Sequence, residues 1–219
     1  MNHPILDQIQ GLRAELAPGD TAPALVTALA GGTAPRSATA ELAAQQQRII
    51  RSDRRSLLLL AARCADRPVG AWFAALADGE SAALHTLPAL GAAVGLDPGA
   101  LESRPPLPGC QAYPHFLAWL ALNGEPDAVA VALVTNFTAW GGYCAAIAHA
   151  LRHRYGLSDE ACAFFDFFAQ PPAELEQQAA DALGPDRLDE SVLATAREYG
   201  LLLQAYEHLF WDTLGVIDA

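Results

Sequence analysis

The chain contains no lysine, and all 13 of its basic side chains are arginine. That absence excludes Schiff-base chemistry, a lysine-dependent phosphate loop and a lysine general base, because each needs an ε-amine of tunable pKa. Positive charge is scarce in any form, and 25 acidic residues leave a formal net charge of -12. So acidic a chain offers phosphates no basic face, so neither nucleic acid nor an anionic membrane is expected as a partner. The four cysteines (Cys64, Cys110, Cys144, Cys162) form no C-x-x-C pair. Their scatter argues against a disulfide frame or zinc site and for reduced thiols in a cytoplasmic protein. The start, Met1-Asn2-His3-Pro4, has neither the basic region nor the apolar core of a signal peptide. The longest apolar stretch, 128–134, falls far short of the ~20 residues of a membrane span. A small uncharged or weakly cationic ligand held inside the fold suits this balance.

What is present points to helices. The chain has 219 residues, 52% of them hydrophobic and 17% charged, which describes one globular domain. A chain of this length buries about 70% of its unfolded surface. Ala, Leu, Gln and Arg dominate and β-branched runs are nearly absent. The pattern predicts a helix over 4–16, then a loop around a short helical turn over 18–37. Ser37 or Thr39 is the expected cap of a long helix ending near residue 65, with Glu41 in its first turn. Asp66 and Pro68 start another helix, reaching residue 94 and bent or divided at Gly79 and Pro88. Asp97-Pro98 opens a short turn, and residues 104–109 are an obligatory loop. Helices follow over 111–122, 126–154, 159–169, 173–183 and 187–214. Their breaks fall at Gly124, Gly156, Pro171-Pro172 and Gly184-Pro185. The expectation is a single all-α domain of seven to nine helices: an N-terminal helix and loop (1–37) packed on the core, and a bundle over 38–219.

Several residues stand out chemically. His149 and His153 have metal-ligand spacing, i and i+4, yet they close a helix beside Arg152 and Arg154, where cations complement the dipole. Glu80 and His85 are five apart and share no face of a straight helix. Asn136, Trp140, Tyr143 and Ile147 fall on one face of a segment too apolar for a surface helix. Gly141-Gly142 within it costs about 1 kcal/mol per glycine against alanine, which implies close approach of another helix or of a ligand. Near the C-terminus, Tyr199, Leu203 and Glu207 share a face among aromatics. A carboxyl there is either buried with a raised pKa, as a general acid/base requires, or partly exposed and paired with an arginine. The run Phe164-Phe165-Asp166-Phe167-Phe168 reads as buried core.

The order of these parts resembles the TenA/PqqC family of heme-oxygenase-like helical bundles, whose best known member, TenA, is a thiamin-degrading and salvage hydrolase. Four segments over 38–214 carry the likeness: Gly79-Glu80 to His85 with Gly95; Ala112-Tyr113; Gly124 through Tyr143; and Tyr206-Glu207-His208-Leu209-Phe210-Trp211. The last is similar to the family's terminal Y-E-x-x-F-W signature. The resemblance implies that Glu207 is the catalytic glutamate and that Tyr113, or His115 in another register, stacks on a ring. The TenA nucleophile lies in L-P-C-x-x-x-Y, which places Asn136 at the cysteine and Trp140 at the tyrosine. The family's early-helix aspartate falls near Arg48-Ile49 and is lost in that register, and Cys144 lies on another face from Asn136. The oxidase branch of the fold shows an aromatic pair followed by His, Asp and His. Counted from Phe164-Phe165, those positions are Phe168, Pro172 and Leu175, none of them a ligand. The PqqC branch relies on a lysine that is absent.

These readings imply a pocket for a small heterocycle, thiamin- or pyrimidine-related. Its expected lining is Tyr113, Asn136, Trp140, Tyr143, Phe164, Phe168, Tyr206 and Glu207, with no metal and no cofactor. Glu207 would be general acid/base in a cysteine-independent hydrolysis or deamination. One alternative is a non-catalytic binding or regulatory protein that keeps the pocket. Another is a metal-dependent, oxygen-using oxidase with a rearranged site drawn from Glu80, His85, His149 or His153. TenA-like proteins usually associate, so the resemblance also implies a homo-oligomer, a dimer or tetramer.

Overall fold

The computed structural model describes residues 4–17, 19, 21–169, 174–184 and 187–216. Among them lie ten helices and no strand: α1 Pro4–Glu15, α2 Ala24–Gly31, α3 Arg36–Arg63, α4 Pro68–Ala93, α5 Pro98–Ser103, α6 Pro108–Asn123, α7 Pro126–His153, α8 Asp159–Ala169, α9 Leu175–Leu183 and α10 Glu190–Gly215. The predicted all-α class is the observed one. The count exceeds the expected seven to nine because α2 and α5 are full helices where a turn was predicted. Three expected breaks, at Pro18, Pro171-Pro172 and Pro185, lie outside the described residues.

Helix ends follow local chemistry. Asp97, Glu125 and Asp189 cap α5, α7 and α10 by accepting from backbone N–H groups of the first turn. The expected capping of α3 by Ser37 or Thr39 does not occur. Pro35 holds that position without a side-chain bond, and Thr39 is buried inside the helix. Glu41 is also buried, and it accepts from Gln45 at 2.7 Å and pairs with Arg104 at 2.7 Å. Pro88 sits inside α4 without dividing it.

Helices α3 and α4 form one antiparallel pair, and α10 packs on both α6 and α7. Two apolar clusters result. One gathers Ile5 and Ile9 of α1, Leu57 and Leu60 of α3, Phe73 of α4 and residues 128–134 of α7. The other gathers α2, Leu42 and Ile50 of α3, Leu87 and Leu90 of α4, Phe164 and Phe165 of α8, and Phe210 and Trp211 of α10. The long helices cross from one cluster to the other, so their middles form the seam between two cores. The functional side chains lie in that seam. Helix α7 is long and apolar enough by composition to cross a membrane, but more than half of its most apolar stretch is buried in the bundle. All four cysteines are buried and unpaired.

Candidate active site

A cavity of about 230 Å³ occupies the seam, lined from α3, α4, α6, α7, α8, α9 and α10. An apolar cavity of about 150 Å³ admits benzene, so the volume suits one substituted ring. Most of its wall is aliphatic or aromatic, with Tyr113, Phe137, Trp140, Phe167, Phe168 and Phe210 supplying rings. Exposed Ala75 and Phe167 mark where it meets solvent.

The polar wall is confined to a few side chains. Asn136 of α7 donates from Nδ2 to Glu207 Oε2 of α10 at 3.1 Å, and Trp211 donates its indole N–H to Oε1 at 3.3 Å. Glu207 is 8% exposed and Asn136 4%. Burial raises the Glu207 pKa, while the bonds from Trp211 and Asn136 and the nearby His208 pull it back. Among the described residues no arginine pairs with this carboxyl, and its burial favours the buried one of the two sequence readings. Among the described residues Asn136 Oδ1 has no hydrogen-bond partner.

Across the seam stand Asp53 of α3 and Glu80 of α4. Asp53 is buried, and its Oδ1 has no hydrogen-bond partner among the described residues. Burial raises its pKa well above the usual range, and the Glu80 charge adds to the shift. Burial likewise pushes Glu80 up to about 8. Tyr113 of α6 adjoins all of these groups. Burial and the charges of Asp53, Glu207 and Glu80 push its hydroxyl up, and the nearby Asn136 amide opposes them.

Five of the eight expected site residues line the cavity together: Tyr113, Asn136, Trp140, Phe168 and Glu207. The other three do not reach it. Tyr143 stacks edge-on against Trp211 with centroids 5.7 Å apart, beside a small cleft behind Asn136 and Glu207. Phe164 is fully buried behind Phe168, 5.2 Å from its centroid. Tyr206 packs on Phe116 at 5.3 Å, away from the lining. Tyr206 is one residue off Glu207 and so rotated away, whereas Tyr143 and Phe164 sit one turn past the lining along the same helix faces, beyond the end of the cavity.

Sequence reasoning missed Asp53 and treated Glu80 only as a weak metal candidate. The expected loss of the early-helix carboxyl at Arg48-Ile49 is corrected here, because α3 presents Asp53 to the cavity. Arg48 instead donates to Arg104 O at 3.0 Å. A readable signal existed: Gln46, Ile49, Ile50, Asp53 and Leu57 follow i, i+3, i+4, i+7 and i+11, and all five line the cavity.

The rearranged metal site does not assemble. His85, His149 and His153 are exposed, and among the described residues no three His, Cys, Asp or Glu side chains converge as metal ligands. His85 Nδ1 bonds to Ser81 O at 2.6 Å, and the His149 and His153 rings lie against each other, 4.3 Å apart. Cys144 is buried, absent from the lining, and held protonated by burial and the Glu207 charge. Of the glycine pair, Gly141 has the close neighbour expected, Phe168 O, which would lie 3.0 Å from a Cβ; Gly142 faces open space.

Comparison with known proteins decides the family. The family model described as TENA/THI-4/PQQC matches residues 24–215. The chain belongs to that family. Solved structures agree in fold. A heme-oxygenase-like domain of unknown function from Shewanella denitrificans OS217 superposes with TM-score 0.73 at 14% identity, covering 98% of this chain and 92% of that one. A TenA homologue from P. horikoshii OT3 gives TM-score 0.70 at 16% identity, with 96% of each chain covered. A TenA homologue from Pseudomonas syringae pv. tomato gives 0.71 at 11%, covering 96% and 90%. No curated protein matches the sequence significantly. Glu207 and Asn136, two positions that the resemblance singles out, both line the seam cavity of this member of the TENA/THI-4/PQQC family.

Proposed function

We propose that this family member holds a small nitrogen heterocycle, thiamin- or pyrimidine-related, in the seam cavity. In this reading Glu207 acts on it as a general acid/base without a covalent intermediate. The observation that carries the reading is the Asn136–Glu207 bond, which sets a buried carboxyl with a raised pKa against a wall of rings. Trp140 and Phe168 offer ring faces and edges, and the unpartnered Asn136 Oδ1 suits a ring N–H or exocyclic amine.

The matching reaction is hydrolytic removal of an amine. Ionised Glu207 takes a proton from water as its oxygen bonds to the carbon bearing the amine. The carbon–nitrogen bond then breaks, and the proton passes from Glu207 to the departing nitrogen. Asn136 cannot replace a thiolate as nucleophile, so thiamin cleavage through a covalent adduct does not fit. The same asparagine, with Cys144 away from the lining, favours a non-catalytic ligand-holding role as the second reading.

Replacing Glu207 with Gln separates them. The first reading expects turnover of an amino-substituted pyrimidine to fall about 10²–10⁴-fold while binding persists. Turnover unchanged by E207Q removes Glu207 from the chemistry, and saturable binding without turnover in the wild type selects the second reading.

A further inference from the structure

The seam cavity has two unlike ends, a difference that the chemistry assigned to Glu207 leaves unexplained. Along α3 its lining runs from Ile49 and Ile50 through Asp53 to Leu57. Along α7 it runs the opposite way, from Leu133 through Asn136 to Trp140. Asp53, Glu80, Tyr113, Asn136 and Glu207 thus form one polar belt across the middle. On one side of the belt, Ile49, Ile50, Trp140, Phe168 and Phe210 belong to or pack on the apolar cluster built around α2 and α8. On the other side, Leu57, Leu76, Leu117, Leu133, Leu175 and Phe137 belong to or pack on the cluster that includes α1 and Phe73. One end is therefore largely aromatic, and the other is a chamber of leucines drawn from α3, α4, α6, α7 and α9. Among the described lining residues no polar side chain stands beyond the belt at the leucine end.

At about 230 Å³ the cavity exceeds the ~150 Å³ that houses a benzene ring. A ring among Trp140, Phe168 and Phe210, with an edge on the belt, leaves the leucine chamber empty. An unfilled apolar space forfeits the contacts of its walls. Leu57 is one helical turn past Asp53, and Leu117 one turn past Tyr113, so the chamber reaches about 6 Å beyond the belt. That depth holds about four carbons at the length of a carbon–carbon bond. A polar atom placed there would lose its water and find no partner.

We propose that the leucine chamber takes an unbranched alkyl substituent of the ring ligand, about four carbons long. The ligand is then amphipathic, with a nitrogen-bearing edge at the belt and a saturated tail among Leu57, Leu76, Leu117, Leu133 and Leu175. Those leucines set the length of the tail and reject any heteroatom within it. The proposal rests on the cavity being a ring site, as argued above, and adds the substituent that the ring must carry.

The test is calorimetric titration of 2-aminopyrimidines carrying methyl, propyl, butyl or hexyl at carbon 4 and, in a second series, at carbon 5. Each is titrated into the wild type, and the tighter series is repeated with Leu117→Phe and with Leu175→Ala. Affinity should rise about fourfold per methylene from methyl to butyl, the worth of burying each one, and level off at hexyl. A 3-hydroxypropyl tail, matched to butyl in length, should bind more weakly than butyl by about tenfold or more. Leu117→Phe fills the chamber and should flatten the rise with chain length. Leu175→Ala enlarges the chamber and should carry the rise on to hexyl. Leu175 is half-buried at the start of α9, so shortening it costs the core little, and that arm decides if the Leu117 variant does not fold. Equal affinity along both series, with the parent ring still bound, overturns the proposal and keeps the ring site. A hydroxypropyl tail that matches butyl overturns it also, as does a rise that neither variant alters. Binding of no probe removes the ring site and this proposal together.

Discussion

Asn136 donates its amide to Glu207 across the α7–α10 contact at 3.1 Å, joining two positions that the family resemblance singles out. Both side chains are buried, so the bond works against few competing waters and orients the carboxyl toward the cavity. Replacing Asn136 with Ala leaves Glu207 only its Trp211 donor. Stability should fall by about 1–3 kcal/mol, since a buried acceptor loses a partner. The Glu207 pKa should rise further, because a bond that lowered it is gone. Denaturant unfolding reads the first effect and a pH titration of ligand affinity reads the second. A variant as stable as the wild type would show the bond to be unimportant.

The unliganded protein should lose stability as pH rises. Burial moves Glu80 from 4.5 to about 8, so the folded chain keeps a proton that the unfolded chain has already released. The folded state therefore binds more protons between those values, and the stabilisation present below pH 4.5 is lost progressively up to about pH 8. Asp53 shifts in the same direction and acts in the same sense. The Tm of wild type measured across this window should decline by several degrees, and Glu80→Gln should flatten the decline. A Tm that climbs over the same range contradicts the placement of these carboxyls.

Two glycines should respond oppositely to alanine. At Gly79, inside α4, an added Cβ makes only ordinary contact with Phe167 at 3.5 Å, so helix propensity dominates and Gly79→Ala gains up to about 1 kcal/mol. The same methyl narrows the cavity, so ligand affinity should drop. At Gly141 the added Cβ meets Phe168 O at 3.0 Å, and α8 must move away. Gly141→Ala should cost about 1–3 kcal/mol by overpacking. Thermal unfolding of the two variants side by side checks both signs.

The long helices and their breaks were legible because apolar spacing and Pro, Gly and Asp signals agreed along the chain. Helices α2 and α5 were not, being eight and six residues long and held by packing more than by pattern. Glu207 and Asn136 were legible from a signature and a count. Asp53 was hidden because it lies in Arg51-Ser52-Asp53-Arg54-Arg55, which reads as a solvated charge run until the helix rotation is known. Tyr143, Phe164 and Tyr206 show the converse error. Their residue types suit a pocket, but Tyr143 lies along the small cleft, Phe164 in the core behind Phe168, and half-buried Tyr206 against Phe116.

The central claim is that the seam cavity binds a small ring, and blocking the cavity tests it most directly. Leu76 lines the cavity from a half-buried position on α4, so Leu76→Trp should fill it while the helix content of the protein stays unchanged. Calorimetric titration of an amino-substituted pyrimidine into wild type and L76W is the deciding measurement. Saturable one-to-one binding to the wild type that vanishes in the folded variant is the result expected. Absence of binding to the wild type, or equal affinity in the variant, would contradict the account.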